Sequence, residues 1–449
     1  MRNCRKPLPR IRPDPVKARS FTVRGREVSA DYRQVRLGYC LEGQELVETF
    51  QFPPGPEPDR TRRQALDRAL ELLHWVAGVS YWKAVCPPEI RFDSSSPDPW
   101  QARWLARYWR EGLAEFAWRN RLDDSIWPTF QTRESGGESQ PPQLDLPARA
   151  LVPLGGGKDS LVALERVRGA GVGLVTCAVS SSPLIASVAE STGVDHLPVR
   201  RQLDPVLAEL NRKGAWNGHV PITAINAAAL TVLALLEGCR WVVFANERSA
   251  DEPTLVGPDG QAVNHQFSKS LAFEEMFGQW ISGYVTGDLE VFSILRQERE
   301  LAICREFAGL ERYHQVFSSC NRNFHLDGRT VSRRWCGDCP KCHFVFIGLA
   351  PFMDPDELVA IFGSNLLADP DHLAGFRALL ALDGEKPFEC VGEAAESRAA
   401  LGALVAHEAW RDLPVVAGLA GDLADVEVPE LKSMLQRAGP HRIPEAFAR

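Results

Sequence analysis

The sequence predicts an α/β protein: a central domain built on a parallel sheet, an N-terminal α+β domain before it and a C-terminal helical segment after it. Three observations carry this expectation. From Ala148 onward, short apolar runs alternate with helix-length segments, and strands apolar on both faces belong to a parallel sheet covered on both sides. Three consecutive glycines separate the first of these strands from the first helix. Gln131 to Pro147 is rich in Glu, Ser, Gly, Gln and Pro without periodicity, which is linker composition. The expected divisions are 1–147, 148–350 and 351–449.

Taken in order, Phe21-Thr22-Val23 and Leu46-Val47-Glu48-Thr49-Phe50 are β-prone and stop at Pro53-Pro54-Gly55-Pro56. From Thr61 to Val79, Ala65, Leu66, Ala69, Leu70 and Leu73 recur at helical spacing. Asp98-Pro99 starts a second helix that runs to about Arg119, because Asp caps and Pro suits the first helical position. Its Trp100, Trp104, Trp109 and Phe116 read first as a core or interdomain stripe and only second as a ligand lining. Ala150 to Leu154 is a strand, and Leu161, Val162, Leu164 and Val167 mark the helix after the glycines. Gly171 to Val179 is a buried strand, Ile185 to Ser191 a helix, and His196 to Val199 a third β-prone run. Ile222 to Glu237 is a long apolar helix and Trp241 to Ala245 a further strand. After Pro351 the chain reads as helices, with an unstructured tail near Pro440.

Composition sets limits. Hydrophobic residues at 45% and charged residues at 24% exclude a disordered chain or a fibre. Lys plus Arg number 51 against 58 Asp plus Glu, a net charge of −7, which argues against a protein that coats nucleic acid but allows a local basic pocket. No run of about eighteen apolar residues exists, so no membrane span is expected. Met1-Arg2-Asn3-Cys4-Arg5-Lys6-Pro7 leads into no apolar stretch and is no secretory signal. Eleven cysteines without such a signal imply a reducing compartment, hence a cytoplasmic protein.

The strongest signal is strand, Gly155-Gly156-Gly157-Lys158-Asp159-Ser160, helix. Glycines let a ligand approach the main chain closely, and free N–H groups with the helix dipole favour an anion. Lys158 adds charge, Asp159 can hold a metal ion that bridges phosphate oxygens, and Ser160 offers a hydroxyl. The alternative is a tight turn that happens to be glycine-rich. A Walker loop is excluded because Asp159 follows Gly157-Lys158 and Val152 stands where its first glycine belongs. The dinucleotide pattern fails because Ser160 replaces its last glycine.

Other polar groups cluster in the same domain. Asn217-Gly218-His219 precedes the apolar helix, and His219 is either a base or a capping residue. Asn246-Glu247-Arg248-Ser249 follows a strand, where an open α/β sheet has its crevice. Asn264-His265-Gln266-Phe267-Ser268-Lys269-Ser270 is dense in hydrogen-bonding side chains and reads as substrate contact ahead of surface loop. Glu274 and Glu275 read as solvated. Cys336, Cys339 and Cys342 form C-x₂-C-x₂-C, with Cys320 sixteen positions before. Four thiolates satisfy a tetrahedral structural zinc, unliganded thiols are the plain alternative, and an iron–sulfur cluster is the lesser one, since the run lacks the fourth Cys of the ferredoxin spacing. Arg333-Arg334 is a basic pair that reads first as solvated and second as an anion clamp.

The glycine loop resembles the PP-loop of the N-type ATP pyrophosphatases, S-G-G-x-D-S, with Gly155 in place of the first Ser. The resemblance covers about Ala148 to Leu349 and implies an adenine nucleotide alpha hydrolase-like fold. It also implies that ATP and Mg²⁺ convert a carboxylate to an adenylate with release of pyrophosphate. A comparable cysteine set follows the PP-loop domain in the family that makes the queuosine base precursor. Over nearly its full length, the chain resembles the MurL family, the ATP-dependent epimerases of UDP-N-acetyl-alpha-D-muramoyl-L-alanyl-L-glutamate. That resemblance implies an isomerase of peptidoglycan synthesis, acting on a small UDP-linked muramoyl dipeptide and needing neither nucleic acid nor membrane. Gly155, Gly156, Gly157, Ser160, Asn246, Glu247 and Ser249 are then the nucleotide-binding candidates. Lys158, Asp159, His219, His265 and Lys269 are the catalytic candidates, with Asp159 also at the magnesium. The Trp-rich N-terminal domain is a candidate holder of the sugar nucleotide. The alternatives are another PP-loop ligase or tRNA-modifying enzyme, and a module that senses ATP without hydrolysing it.

Overall fold

A computed structural model describes residues 19–133, 140–256, 262–323, 333–382, 386–387, 389 and 391–448. The segment Met1 to Pro7 and residues 134–139 of the expected linker lie outside these residues. Strands β1 (Ser20–Val28), β2 (Gln34–Leu41) and β3 (Gln44–Gln51) form an antiparallel meander. In β2 the side chains of Val35, Leu37 and Tyr39 are fully buried, on the alternating period of a strand. Helix α1 (Arg60–Ala77) starts where the Asp59 carboxylate accepts the Arg62 N–H, and it buries Leu66, Ala69, Leu70 and Leu73. Strands β4 (Glu89–Phe92) and β5 (Thr129–Phe130) extend the meander in parallel from β1.

Helix α2 (Pro99–Gly112) opens with a capping box between Asp98 and Gln101. The single helix expected to reach Arg119 is two, because the chain breaks at Leu113 before α3 (Ala114–Asn120). The tryptophan stripe is core. Trp104 and Trp109 are buried, the Trp104 indole donates to the Met276 carbonyl at 2.8 Å, and Trp100 stacks on Tyr284.

The central segment runs β6 (Arg149–Pro153), α4 (Lys158–Gly169), β7 (Gly173–Val179), α5 (Pro183–Thr192), β8 (His196–Gln202), α6 (Ile222–Glu237) and β9 (Trp241–Phe244). A short antiparallel ribbon of β10 (Leu255–Val256) and β11 (Ala262–Val263) follows, then α7 (Leu271–Trp280), β12 (Glu290–Ser293), α8 (Glu300–Ala308) and α9 (Pro340–Leu349). Helical pieces follow to the end, among them α10 (Ala394–Val405). The ten-stranded sheet has the order β12-β9-β6-β7-β8-β3-β2-β1-β4-β5. β12, β9, β6, β7 and β8 are parallel, and the meander joins this half through an antiparallel pairing of β3 with β8.

Alternate residues of β6 serve two cores on opposite faces. Leu151 packs with α1 and α6, while Ala150 and Val152 pack with α4, α8 and α9. Burial on both sides is why Ala150, Leu151 and Val152 are all apolar. The tail near Pro440 holds only a 3₁₀ turn, Glu445–Phe447, yet it is anchored rather than unstructured. Arg442 donates to the Glu274 carbonyl, and Phe447 lies edge-on to Trp241 at 5.0 Å.

At the β3–β8 seam, the fully buried Glu48 pairs with Arg201 at 2.5 Å, and Arg201 also donates to Ser80. Burial pushes the Glu48 pKa up, and Arg201 pulls against that. Removing one partner leaves a buried charge, whereas replacing both with apolar groups does not. Glu48→Ala is therefore expected to lower unfolding free energy by roughly 3–5 kcal/mol in denaturant titration. A Glu48→Leu/Arg201→Met double variant should recover most of the loss.

Candidate active site

On one side of β6 the sheet continues to β7 and β8, and on the other to β9 and β12. The connections leave β6 and β9 in opposite directions, so a crevice opens at the carboxyl ends of the strands. The glycine loop occupies this switch point. Gly156 adopts φ +84°, a left-handed conformation that glycine tolerates. A Cβ on Gly157 would collide with the Ser319 hydroxyl. Ser160 holds the turn closed, donating to the Gly157 carbonyl at 3.0 Å and accepting from the Gly155 N–H at 3.2 Å.

A cavity of about 250 Å³ lies over this loop. Gly155, Gly157, Asp159 and Ser160 line it, together with Asn246 and Glu247 after β9, Asn226 of α6, and Lys269, Ser319 and Lys341. Of the expected residues, Gly156, Lys158, Ser249, His219 and His265 do not line it. Ser249 is fully buried, and its hydroxyl donates to the Glu396 carboxylate at 2.7 Å. A 3₁₀ turn at Arg248–Asp251 carries it away from the crevice. Lys158 is buried beneath the loop, where its ammonium pairs with Asp159 and Glu300. Burial alone would lower its pKa, but these two carboxylates outweigh that and hold it well above its ordinary value.

The histidines expected as base and acid come together. The rings of His219 and His265 meet edge-on at 6.2 Å. Nδ1 of His219 faces the Glu115 carboxylate at 3.6 Å, and its Nε2 is buried without a hydrogen-bond partner. Nδ1 of His265 shares a 2.7 Å hydrogen bond with the Thr254 hydroxyl. Burial pushes the His219 pKa down to about 4, and His265, Lys269, Lys83 and Arg119 push the same way. Burial also takes His265 to about 4. Lys269 acts on both histidines and lines the cavity over the glycine loop, so it links the two halves of the site.

Arg296 holds these parts in register. It is buried, and it donates to the Glu247 carbonyl at 3.1 Å and the Lys269 carbonyl at 2.7 Å while pairing with Glu274 at 3.0 Å. Glu274 is thus a buried anchor, not the solvated residue that its helix position implied. Glu300, Lys83 and Glu115 were missed in the sequence. For the last two, the available signal was a lone charge inside an apolar run, Tyr81-Trp82-Lys83-Ala84-Val85 and Ala114-Glu115-Phe116-Ala117.

The sulfurs of Cys320, Cys336, Cys339 and Cys342 lie within 4.8 Å of one another. Cys336 and Cys339 stand 3.6 and 3.5 Å from Cys342, and Cys320 stands 4.0 Å from Cys339. A tetrahedral ion with metal–sulfur bonds of about 2.3 Å separates its sulfurs by ~3.8 Å, so the four thiols fit one such ion. This knuckle braces the glycine loop. The Ser318 N–H donates to the Gly156 carbonyl at 2.9 Å, and the Ser318 hydroxyl accepts the Cys320 N–H at 3.1 Å and donates to the Arg334 carbonyl. The Arg334 backbone is thereby used, while Arg333 is exposed.

Family models described as the MurL N-terminal domain and the MurL C-terminal domain match residues 13–294 and 316–433. A protein of Xanthomonas oryzae pv. oryzae named UDP-N-acetyl-alpha-D-muramoyl-L-alanyl-L-glutamate epimerase is 46% identical over 90% of this chain and 90% of its own. Proteins of the same name from Micromonospora sp. and Salinispora tropica are each 40% identical over 96% of this chain, covering 97% and 94% of their own lengths. The chain therefore belongs to the MurL family, and it is an epimerase, hence an isomerase.

Proposed function

We propose that this chain inverts the terminal L-glutamate of UDP-N-acetyl-alpha-D-muramoyl-L-alanyl-L-glutamate to D-glutamate in peptidoglycan precursor synthesis, consuming ATP. The observation that carries this reading is the joining of a glycine-loop cavity to a histidine pair through Lys269. The division into residues 1–147, 148–350 and 351–449, with a PP-loop fold in the middle part, belongs to the same proposal. So does a cytoplasmic location.

An ionised carboxylate makes the neighbouring Cα–H hardly acidic, because deprotonation would add a second negative charge to a small unit. The α-carboxylate oxygen attacks the α-phosphorus of ATP and displaces pyrophosphate, which leaves a mixed anhydride whose acyl group no longer carries the carboxylate charge. A base then takes the Cα proton, an acid returns one to the opposite face, and water hydrolyses the anhydride to the inverted carboxylate and AMP. The backbone of Gly155, Gly156 and Gly157, with Ser160, receives the phosphates at the start of α4. Lys158 keeps Asp159 oriented from below, and Asn246 and Glu247 bound the far wall. Mg²⁺ would neutralise phosphate charge, and Asp159 with Glu247 offers the hard oxygen ligands it prefers. His219, His265 and Lys269 supply the base and the acid. Zn²⁺ in the four-cysteine site would be structural, since four thiolates leave no open position. No helix among the described residues is long and apolar enough to cross a membrane.

The two halves of the site should separate experimentally. Asp159→Asn is expected to cut ATP-dependent pyrophosphate release by about a hundredfold or more while circular dichroism stays unchanged. His219→Gln should keep pyrophosphate release but slow deuterium uptake at the glutamate Cα by roughly 10²–10⁴. Wild-type deuterium uptake in Asp159→Asn would defeat the adenylate reading. The pH response follows from the histidines. Their folded pKa of about 4 lies below the ordinary 6.5, so the neutral forms are favoured by folding. Their contribution to stability is complete above pH 6.5 and is lost as pH falls toward 4, because the unfolded chain takes up protons first. Thermal melts across that window should show the fall, and His219→Gln should flatten it. Elemental analysis should find about one zinc per chain, and Cys339→Ser should lose it together with thermal stability.

A further inference from the structure

Lys83 is 4% exposed, and among the described residues no carboxylate pairs with it. Its ammonium donates to the Asn217 side-chain oxygen at 3.3 Å and stands 5.8 Å from the centre of the Phe116 ring. A buried cation without a counter-charge is unfavourable for folding, so such a residue points to a ligand that brings the missing anion. The surroundings agree. His219 is close enough to Lys83, Lys269, His265 and Arg119 to be disfavoured as a cation by all four. Among the described residues the acid paired with His219 is Glu115, which also pairs with Arg119 at 2.6 Å, while Lys386 and Glu389 act on His265 beside it. The cluster thus carries an excess of positive groups. His219 Nε2 is also buried and unpartnered in it.

We propose that Lys83, with Asn217 beside it, forms a subsite for the side-chain carboxylate of the substrate's terminal glutamate. This rests on the substrate proposed above and deepens it. A terminal glutamate has two carboxylates, and only the one next to the chiral carbon serves inversion. Anchoring the other at Lys83 leaves the α-carboxylate free for activation. The subsite therefore selects a dicarboxylate end and decides which carboxylate is activated. Burial pushes Lys83 down to about 8 and the neighbouring Cys86 thiol up to about 12, so Cys86 stays neutral where Lys83 titrates. Asn217 and Phe116 are the groups in contact with it, and neither is an acid; His219 lies within its electrostatic reach, itself faced by Glu115, Arg119, His265 and Lys269. A bound carboxylate would hold Lys83 protonated. Affinity should accordingly fall as pH rises through about 8.

The test is calorimetric binding, without ATP, of the UDP-linked muramoyl-L-Ala-L-Glu and its L-Gln analogue to the full chain and to Lys83→Met and Lys83→Arg. The wild type should prefer the Glu peptide by about thirtyfold. Lys83→Met should lose that preference, and Lys83→Arg should regain part of it. Wild-type affinity for the Glu peptide should decline between about pH 7 and 9, while that of Lys83→Met should not. Lys83→Met should also melt at or above the wild-type temperature, since it removes a lone buried charge. Equal weakening toward both peptides, or a lowered melting temperature, would make Lys83 a scaffold residue and overturn the proposal. If Lys83→Met does not fold, the wild-type preference and its pH dependence still decide. Wild-type preference for Glu without AMP formation would sink the adenylate reading and leave this subsite standing. AMP formation without that preference would do the reverse.

Discussion

The site depends on the gap that opens where β6 and β9 part. Neighbouring parallel strands normally send their connections the same way and fill the space above the sheet edge with them. Here the connections diverge, and the backbone N–H groups at the start of α4 face an open crevice. Glycine is needed because Gly156 takes a left-handed conformation and Gly157 abuts Ser319. A helix start exposed in this way has unsatisfied donors and a favourable dipole, which is what a phosphate chain requires.

A crevice of loops is useful only if the loops are held. Arg296 fastens the segments of Glu247 and Lys269 by their carbonyls, so the wall after β9 and the link to the histidines share one anchor. The four-cysteine knuckle does the same for the glycine loop through Ser318. Glu396 of α10 bonds Ser249 and the Leu301 N–H, tying the C-terminal helices to the same region. Each brace uses buried, hydrogen-bonded polar groups, and such networks rigidify. The C-terminal part of the chain therefore matters to the site while contributing little to its lining.

Much of the architecture was legible because it follows from local periodicity. The apolar helix Ile222–Glu237 and the strand–glycine–helix unit are where their patterns put them. The break at Leu113 was not, since apolar spacing continues across it. Sequence also placed Asn246, Glu247, Lys269 and both histidines among the candidates; the first three line the crevice and the two histidines meet each other. It could not separate Glu247 from Ser249, two positions apart, because a single 3₁₀ turn decides which faces the cavity. Nor could it show that Lys158 lies under its loop, since Glu300 is 142 positions away.

Residue types and short spacings determined the strands, the glycine loop, the cysteine set and the roster of polar candidates, because each is encoded within one or two turns of chain. The tertiary structure alone decided which candidates meet. Lys83, Glu115, Arg296 and Glu300 acquire meaning only from partners distant in sequence: Asn217, His219, Lys269 and Lys158. The reason is physical. A buried charge is tolerated according to what surrounds it in space, and no periodicity along the chain records those surroundings.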